Sequence, residues 1–291
     1  MSVRPAVVYL CLLLSFGPGC TALHNVKARL QSAGDIARES GLQERIINTG
    51  EFRLLSFHNG VAAHKMPLEV YIEGDGLAWR RKNRLSANPT PTDPVALRLA
   101  ARVTGANLLY LARPCQYSDD VQDGRCSPRF WSSHRYAETV VNAMSRAIDD
   151  HLAYTGTDRV RLIGYSGGGV IAALLAARRQ DVQWLMTVAA NLDIDAWTSL
   201  HQVTPLDGSL NPVDFASPLA RLPQLHWTGA RDHIVPEAVV RSYLQALGPN
   251  HMQQLHSVPD YTHDCCWVED WPDLRRRALE VLLDSQLGKL R

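Results

Sequence analysis

The chain has 291 residues, 46 % hydrophobic and 20 % charged, with 30 basic residues against 29 acidic and a net charge of +1. This composition belongs to a folded chain able to bury a sizeable core, not to a disordered one. The near-balance of charge argues against a nucleic-acid binder, whose domain would be clearly basic.

In chain order, the first stretch is MSVRPAVVYLCLLLSFGPGC, with Arg4 before an apolar run over residues 6–16 and small residues ending at Cys20. That is the three-part layout of an export signal over residues 1–20, and the run is short for a bilayer span. The Gly-Pro-Gly-Cys ending resembles a bacterial lipoprotein signal, in which Cys20 becomes the lipidated first residue. Thr21 follows it, so the aspartate of an inner-membrane retention signal is absent. The expected location is the cell envelope, anchored at the outer membrane on its periplasmic side, with free secretion into the periplasm or medium, or an uncleaved N-terminal anchor, as the alternatives if Cys20 is unmodified. Export leaves Cys115, Cys126, Cys265 and Cys266, an even number in an oxidising compartment, and disulfides follow. Adjacent cysteines bridge only with a strained backbone. Pairings that cross between the two clusters are therefore expected at least as much as Cys115–Cys126 with Cys265–Cys266.

Residues 21–48 are polar with scattered aliphatics and are expected as a helix or tether ahead of a domain over residues 49–291. Within that domain FRLLSFHN and LEVYIEGDG read as strands, DPVALRLAARVTG as a helix and ANLLYLARP as a strand. SSHRYAETVVNAMSRAIDDHLAYTG reads as a long amphipathic helix, with Ser133 its expected cap and Gly156 at its end. RVRLIGYS is a strand, followed by a helix over residues 168–179, the strand VQWLMTVAA and the strand QLHWTGARD. PEAVVRSYLQALG, MQQLHSVPD and EDWPDLRRRALEVLLDSQLG complete the chain as helix, strand and helix. Residues 190–223, rich in turn formers around LDGSLNPVDF, are the expected cap or lid. Strands of near-continuous apolar character alternating with helices predict an α/β fold with a mostly parallel central sheet and helices on both faces. In such sheets reactive groups lie just beyond the carboxyl ends of the strands.

At one such end Gly164-Tyr165-Ser166-Gly167-Gly168 forms a G-x-S-x-G pattern between an apolar strand and a helix. A serine there projects from a tight turn, and the helix start points free N–H groups at whatever it attacks. A serine hydroxyl needs a base, and the base needs an orienting acid. Both follow in the order Ser, Asp, His: Asp232 in HWTGARDHIVP after one strand, and His263 in LHSVPDYTHDCCW after the last. Over these segments the chain resembles the α/β-hydrolase superfamily of serine esterases and lipases, from about Phe52 to the C-terminal helix. Thr262 stands where that family often has glycine before its histidine. The resemblance implies Ser166 as nucleophile, His263 as base and Asp232 as orienting acid. It also implies an oxyanion hole from the N–H of Gly167 and a second donor in YIEGDGLAW, either Asp75 or its neighbour Gly76, with Glu73 in place of the family's histidine.

Asp193 and Asp195 in AANLDIDAW are the competing acids, with Asp195 read as a helix cap. His256 falls inside a strand, His233 adjoins the acid, and His201 and His226 read as packed or surface residues. Gln116 and Tyr117 are candidate pocket residues. The run WRRKNRLS over residues 79–86, directly after the expected oxyanion loop, reads mainly as solvated surface, with attraction of an anionic substrate or lipid headgroup as the alternative, and the RRR at 275–277 is expected to face solvent. His263-x-Cys265-Cys266 lacks a zinc-ligand spacing, and there is no H-E-x-x-H, EF-hand, P-loop or opening G-x-G-x-x-G pattern. No metal or other cofactor is expected. The expected partner is a small-molecule or lipid ester, hydrolysed through an acyl-enzyme, with membrane association through the N-terminal lipid. The alternatives are acyl transfer by the same triad, peptidase activity, or a non-catalytic envelope lipoprotein on a hydrolase scaffold.

Overall fold

The computed structural model describes residues 18–60, 66–81, 83–118, 121, 124–249 and 253–288; most of the expected export signal, residues 1–17, lies outside them. Its elements in chain order are α1 (Pro18–Glu39), β1 (Gln43–Asn48), β2 (Arg53–His58), β3 (Leu68–Ile72), β4 (Trp79–Arg81) and β5 (Arg84–Leu85). Then come α2 (Val95–Ala101), β6 (Asn107–Leu111), α3 (Glu138–Thr155), β7 (Val160–Tyr165), α4 (Gly167–Ala176) and β8 (Val182–Val188). The last are α5 (Ile194–His201), α6 (Ala216–Leu219), β9 (Gln224–Gly229), α7 (Glu237–Leu247), β10 (Gln253–Val258) and α8 (Trp267–Gly288).

Eight strands form one sheet in the order β1-β2-β6-β3-β7-β8-β9-β10, with β4 and β5 a separate small hairpin. β1 pairs antiparallel with β2, and β2 with β6; from β6 to β10 every pairing is parallel. Successive side chains of a strand point to opposite faces, and the inner strands bury apolar residues on both. On β6, Leu109 and Leu111 join the core beneath α3, α4 and α7, whereas Leu108 and Tyr110 join the core beneath α1, α2 and α8. On β7, Leu162 and Ile163 divide in the same way. Helix α4, GGGVIAALLA, is buried at every position and lies directly on the sheet.

Several expectations are corrected. For residues 21–48, expected as a helix or tether, the helix holds in α1, which buries Ala33 and Ala37 and whose Arg29 donates to the Thr90 carbonyl at 2.8 Å, but residues 43–48 are the edge strand β1. The strand was obscured because an edge strand with one solvated face carries Gln43, Glu44 and Arg45 rather than an apolar run. Helix α3 starts at Glu138 after an extended Ala137, and Ser133 bonds His134 instead of capping it; Gly156 closes the helix in the left-handed conformation as expected. Asp193, not Asp195, caps α5, accepting from the Ala196 N–H at 3.1 Å. Arg275 does not face solvent: it grips the buried Glu69 at 2.6 and 3.0 Å. The disulfides are local rather than crossed, Cys115–Cys126 and Cys265–Cys266. Within residues 190–223, α5 borders the cleft described next, while Pro212 and Leu219 are buried in the body of the domain.

Candidate active site

Ser166 sits between β7 and α4 with φ 50° and ψ −124°, a conformation that costs a non-glycine residue roughly 1–3 kcal/mol. The surroundings permit it because strand and helix nearly touch. A Cβ on Gly164 would lie 2.4 Å from the Gly168 carbonyl oxygen, and one on Gly168 would lie 2.2 Å from that of Ile72. Ser166 N–H donates to the Val188 carbonyl on the neighbouring strand at 2.9 Å, which fixes the turn while the side chain projects into the cleft.

The hydroxyl of Ser166 lies 3.0 Å from Nε2 of His263, and Nδ1 of His263 lies 2.8 Å from Oδ2 of Asp232. Two loops converge to make this contact. Gly229, at the end of β9, lies so close to the loop after β10 that a Cβ there would come within 2.4 Å of the Tyr261 carbonyl oxygen. Arg231 N–H donates to that same oxygen, tying the Asp232 loop to the His263 loop. Oδ1 of Asp232 accepts from the N–H groups of Ile234 and Val235 at 2.8 and 2.7 Å, leaving Oδ2 for the imidazole. The His263 carbonyl accepts from Trp267 Nε1 at 2.8 Å and from the Tyr165 hydroxyl at 3.2 Å. Thr262 supplies what a glycine would not: its hydroxyl accepts from Cys265 N–H at 3.2 Å and closes the turn behind His263.

The competing candidates are engaged elsewhere. Asp193 accepts from Ser242 Oγ at 2.6 Å, and Asp195 accepts from Asn211 Nδ2 at 3.2 Å. His226 is fully buried beside Thr187, and burial pushes its pKa down to about 3. His201 bonds the Ile234 carbonyl, His233 is exposed, and His256 lies on β10.

After β3, Gly74, Asp75 and Gly76 line the cleft beside Ser166. Gly76 has φ +63° and a Cβ there would lie 2.1 Å from the Pro89 carbonyl oxygen, so no other residue fits. Among the described residues no acceptor takes the N–H of Asp75 or of Gly167. The Asp75 carboxylate folds over Gly167 and is held by Arg135 at 2.7 Å, Arg113 at 3.2 Å and the Tyr136 hydroxyl at 3.0 Å. Burial pushes its carboxyl up, but the two guanidinium groups outweigh burial and hold it below the usual carboxylate range. Glu73 does not reach Ser166 as a histidine might. Its carboxylate turns away, accepting from the N–H groups of Gly74, Ala96 and Leu97 and from the Tyr110 hydroxyl, and burial lifts its pKa to about 7.

Gln116 and Tyr117 do not line the cleft. Gln116 is buried behind it, donating to the Gly74 carbonyl at 2.9 Å and accepting from Arg113 N–H at 3.0 Å. Reading the sequence missed Arg113, Arg135 and Tyr136. Arg113 had a usable signal, since it lies two residues past the end of β6; Arg135 and Tyr136 precede a helix, where no local pattern marks them. The cleft has a volume of about 540 Å³, and Trp79, Val95, Trp197, Ile234 and Val235 provide apolar walls. Among the described residues no group of three metal-ligating side chains could hold an ion, and no helix is long and apolar enough to cross a membrane.

No family model and no curated protein matches the sequence. Solved structures do match the fold. Est1E from Butyrivibrio proteoclasticus has 14 % identity and a TM-score of 0.57, over 85 % of this chain and 99 % of that one. The Pyrococcus furiosus esterase has 13 % identity and a TM-score of 0.54, over 83 % and 91 %. An acylaminoacyl peptidase from Pyrococcus horikoshii has 12 % identity and a TM-score of 0.57, over 86 % of this chain but 41 % of that one. The sheet order and these likenesses give the chain the α/β-hydrolase fold.

Proposed function

We propose that this α/β-hydrolase-fold chain is a serine hydrolase that cleaves carboxylic esters through an acyl-enzyme on Ser166. The observation that carries the reading is the unbroken hydrogen-bonded line from Ser166 Oγ through His263 to Asp232, starting on a strained turn. With Nδ1–H donated to Asp232, Nε2 is the free base that takes the serine proton as Oγ attacks the ester carbonyl. Negative charge develops on the carbonyl oxygen beside the N–H groups of Gly167 and Asp75, with Gly76 the neighbouring alternative donor. The Asp75 carboxylate does not oppose that charge, because two guanidinium groups face it. The imidazolium then protonates the departing alcohol, and a water deprotonated by His263 releases the acid. The esterases among the structural neighbours agree with this reading.

The test is hydrolysis of a series of 4-nitrophenyl esters of increasing acyl length. An initial burst of nitrophenol followed by steady turnover is expected, with Ser166→Ala lowering kcat by at least about 10⁴-fold. A variant that keeps its turnover overturns the reading. Adding alcohol acceptors and analysing products separates hydrolysis from acyl transfer. Export and anchoring through Cys20 belong to the same proposal, and the mass of the mature N-terminus tests them: a diacylglycerol-modified Cys20 is expected, and an unmodified or uncleaved terminus contradicts it.

A further inference from the structure

Beside the cleft lies a second groove of about 850 Å³, and Trp79, Arg135 and Trp197 form walls of both. The two spaces differ in charge. Glu73, Asp75, Asp93 and Asp264 all border the cleft, whereas the groove has no carboxylate among its lining residues and two guanidinium groups. Arg81 stands at the tip of the β4–β5 hairpin, exposed and without an ion-pair partner among the described residues. Arg135 is buried in the shared wall, and Arg113 competes for the same Asp75 carboxylate. Two cations against one anion leave a unit of positive charge there. The remaining surface is largely apolar, with Trp79, Trp197, Val203 and Leu206.

Apolar walls with surplus positive charge suit an amphiphilic chain ending in an anion, since guanidinium groups bind carboxylate and phosphate oxygens better than they bind water-facing neutral ends. We propose that this groove is a second substrate subsite, which takes the anion-bearing part of an ester while the scissile carbonyl lies at Ser166. The inference rests on the hydrolase reading and adds a substrate class to it: esters with a carboxylate or phosphate at one end of an apolar segment. A carboxylate would arrive on the acyl side, as in a dicarboxylic acid monoester; a phosphate would arrive on the alcohol side, as in an acylated glycerol phosphate.

The experiment compares kcat/KM of the full chain on matched pairs: 4-nitrophenyl hexanoate with the 4-nitrophenyl monoester of hexanedioic acid, and hexanoyl glycerol with hexanoyl glycerol phosphate. In at least one pair the anionic ester is expected to lead by about tenfold, and which pair does so identifies the anion. Arg81→Gln lowers that ratio by about tenfold, Arg81→Lys keeps most of it, and added salt reduces it. Ratios at or below one in both pairs, or a ratio that Arg81→Gln leaves unmoved, overturn the subsite. Calorimetric binding of the same pairs to Ser166→Ala separates the two readings. Preferential binding of the anionic member without turnover by the unmutated protein overturns the hydrolase reading alone; neither binding preference nor turnover overturns both.

Discussion

Single residues at the site divide into those that the sequence marks and those that only packing reveals. Ser166, Asp232 and His263 were legible as candidates because they lie in the segments that follow β7, β9 and β10, and in a parallel sheet all such strand ends share one edge. Asp75 was legible as a position but not as a charge, since its partners Arg113, Arg135 and Tyr136 come from two other segments. Removing its carboxylate strands two buried guanidinium groups. Asp75→Ala is therefore expected to destabilise the protein by about 3–5 kcal/mol in urea unfolding; a loss below about 1 kcal/mol contradicts the account of this cluster. Glu73 makes a pH-dependent prediction. Burial raises its folded pKa from the ordinary 4.5 to about 7, so the folded state holds the proton more tightly. Its contribution to stability is full below the ordinary glutamate range and is lost as pH rises through about 7. That loss amounts to at most about 3 kcal/mol, and Glu73→Gln is expected to flatten the stability profile across that window. A profile that keeps its slope in Glu73→Gln assigns the effect to another group.

The elements position these residues through close backbone approaches that a pattern of apolar residues does not encode. The loop after β9 carries Asp232 and the loop after β10 carries His263, and Gly229 lets them touch. Gly229→Ala is expected to push the loops apart by a few tenths of an ångström or more and to lower kcat by about 100-fold, with melting temperature far less affected than in a core substitution. Unchanged kcat would show that the loops tolerate separation. Periodicity found every inner strand and the long helices α3 and α8, because those are buried on both faces or on one regular stripe, whereas α1 stayed open between helix and tether. It failed where burial is partial. β1 has one wet face, the β4–β5 hairpin is short and basic, and the start of α3 is fixed by an extended Ala137 with no capping side chain.

At the scale of the whole molecule, topology explains why residues 166, 232 and 263 meet although up to 97 positions separate them. β7, β8, β9 and β10 are adjacent and parallel in sequence order, so the loops that follow β7, β9 and β10 emerge on one side. Alternation of strands and helices made this much readable in advance. Disulfide pairing was not readable, because it depends on which loops become neighbours in space. Cys115–Cys126 closes a short loop just after β6, between Arg113 and the turn before α3, and so braces the segment that holds Asp75. The shapes of the cleft and of the groove beside it were equally hidden, since they combine the β4–β5 hairpin, α5 and loops from distant parts of the chain.

The central claim, that His263 and Asp232 activate Ser166, is tested most directly by a fluorophosphonate, whose phosphorus bonds to an activated serine oxygen as fluoride leaves. The account predicts stoichiometric labelling mapped by peptide mass spectrometry to Ser166, none in Ser166→Ala, and at least about 100-fold slower labelling in His263→Ala. An unlabelled folded protein, or a label on any other residue, would contradict it.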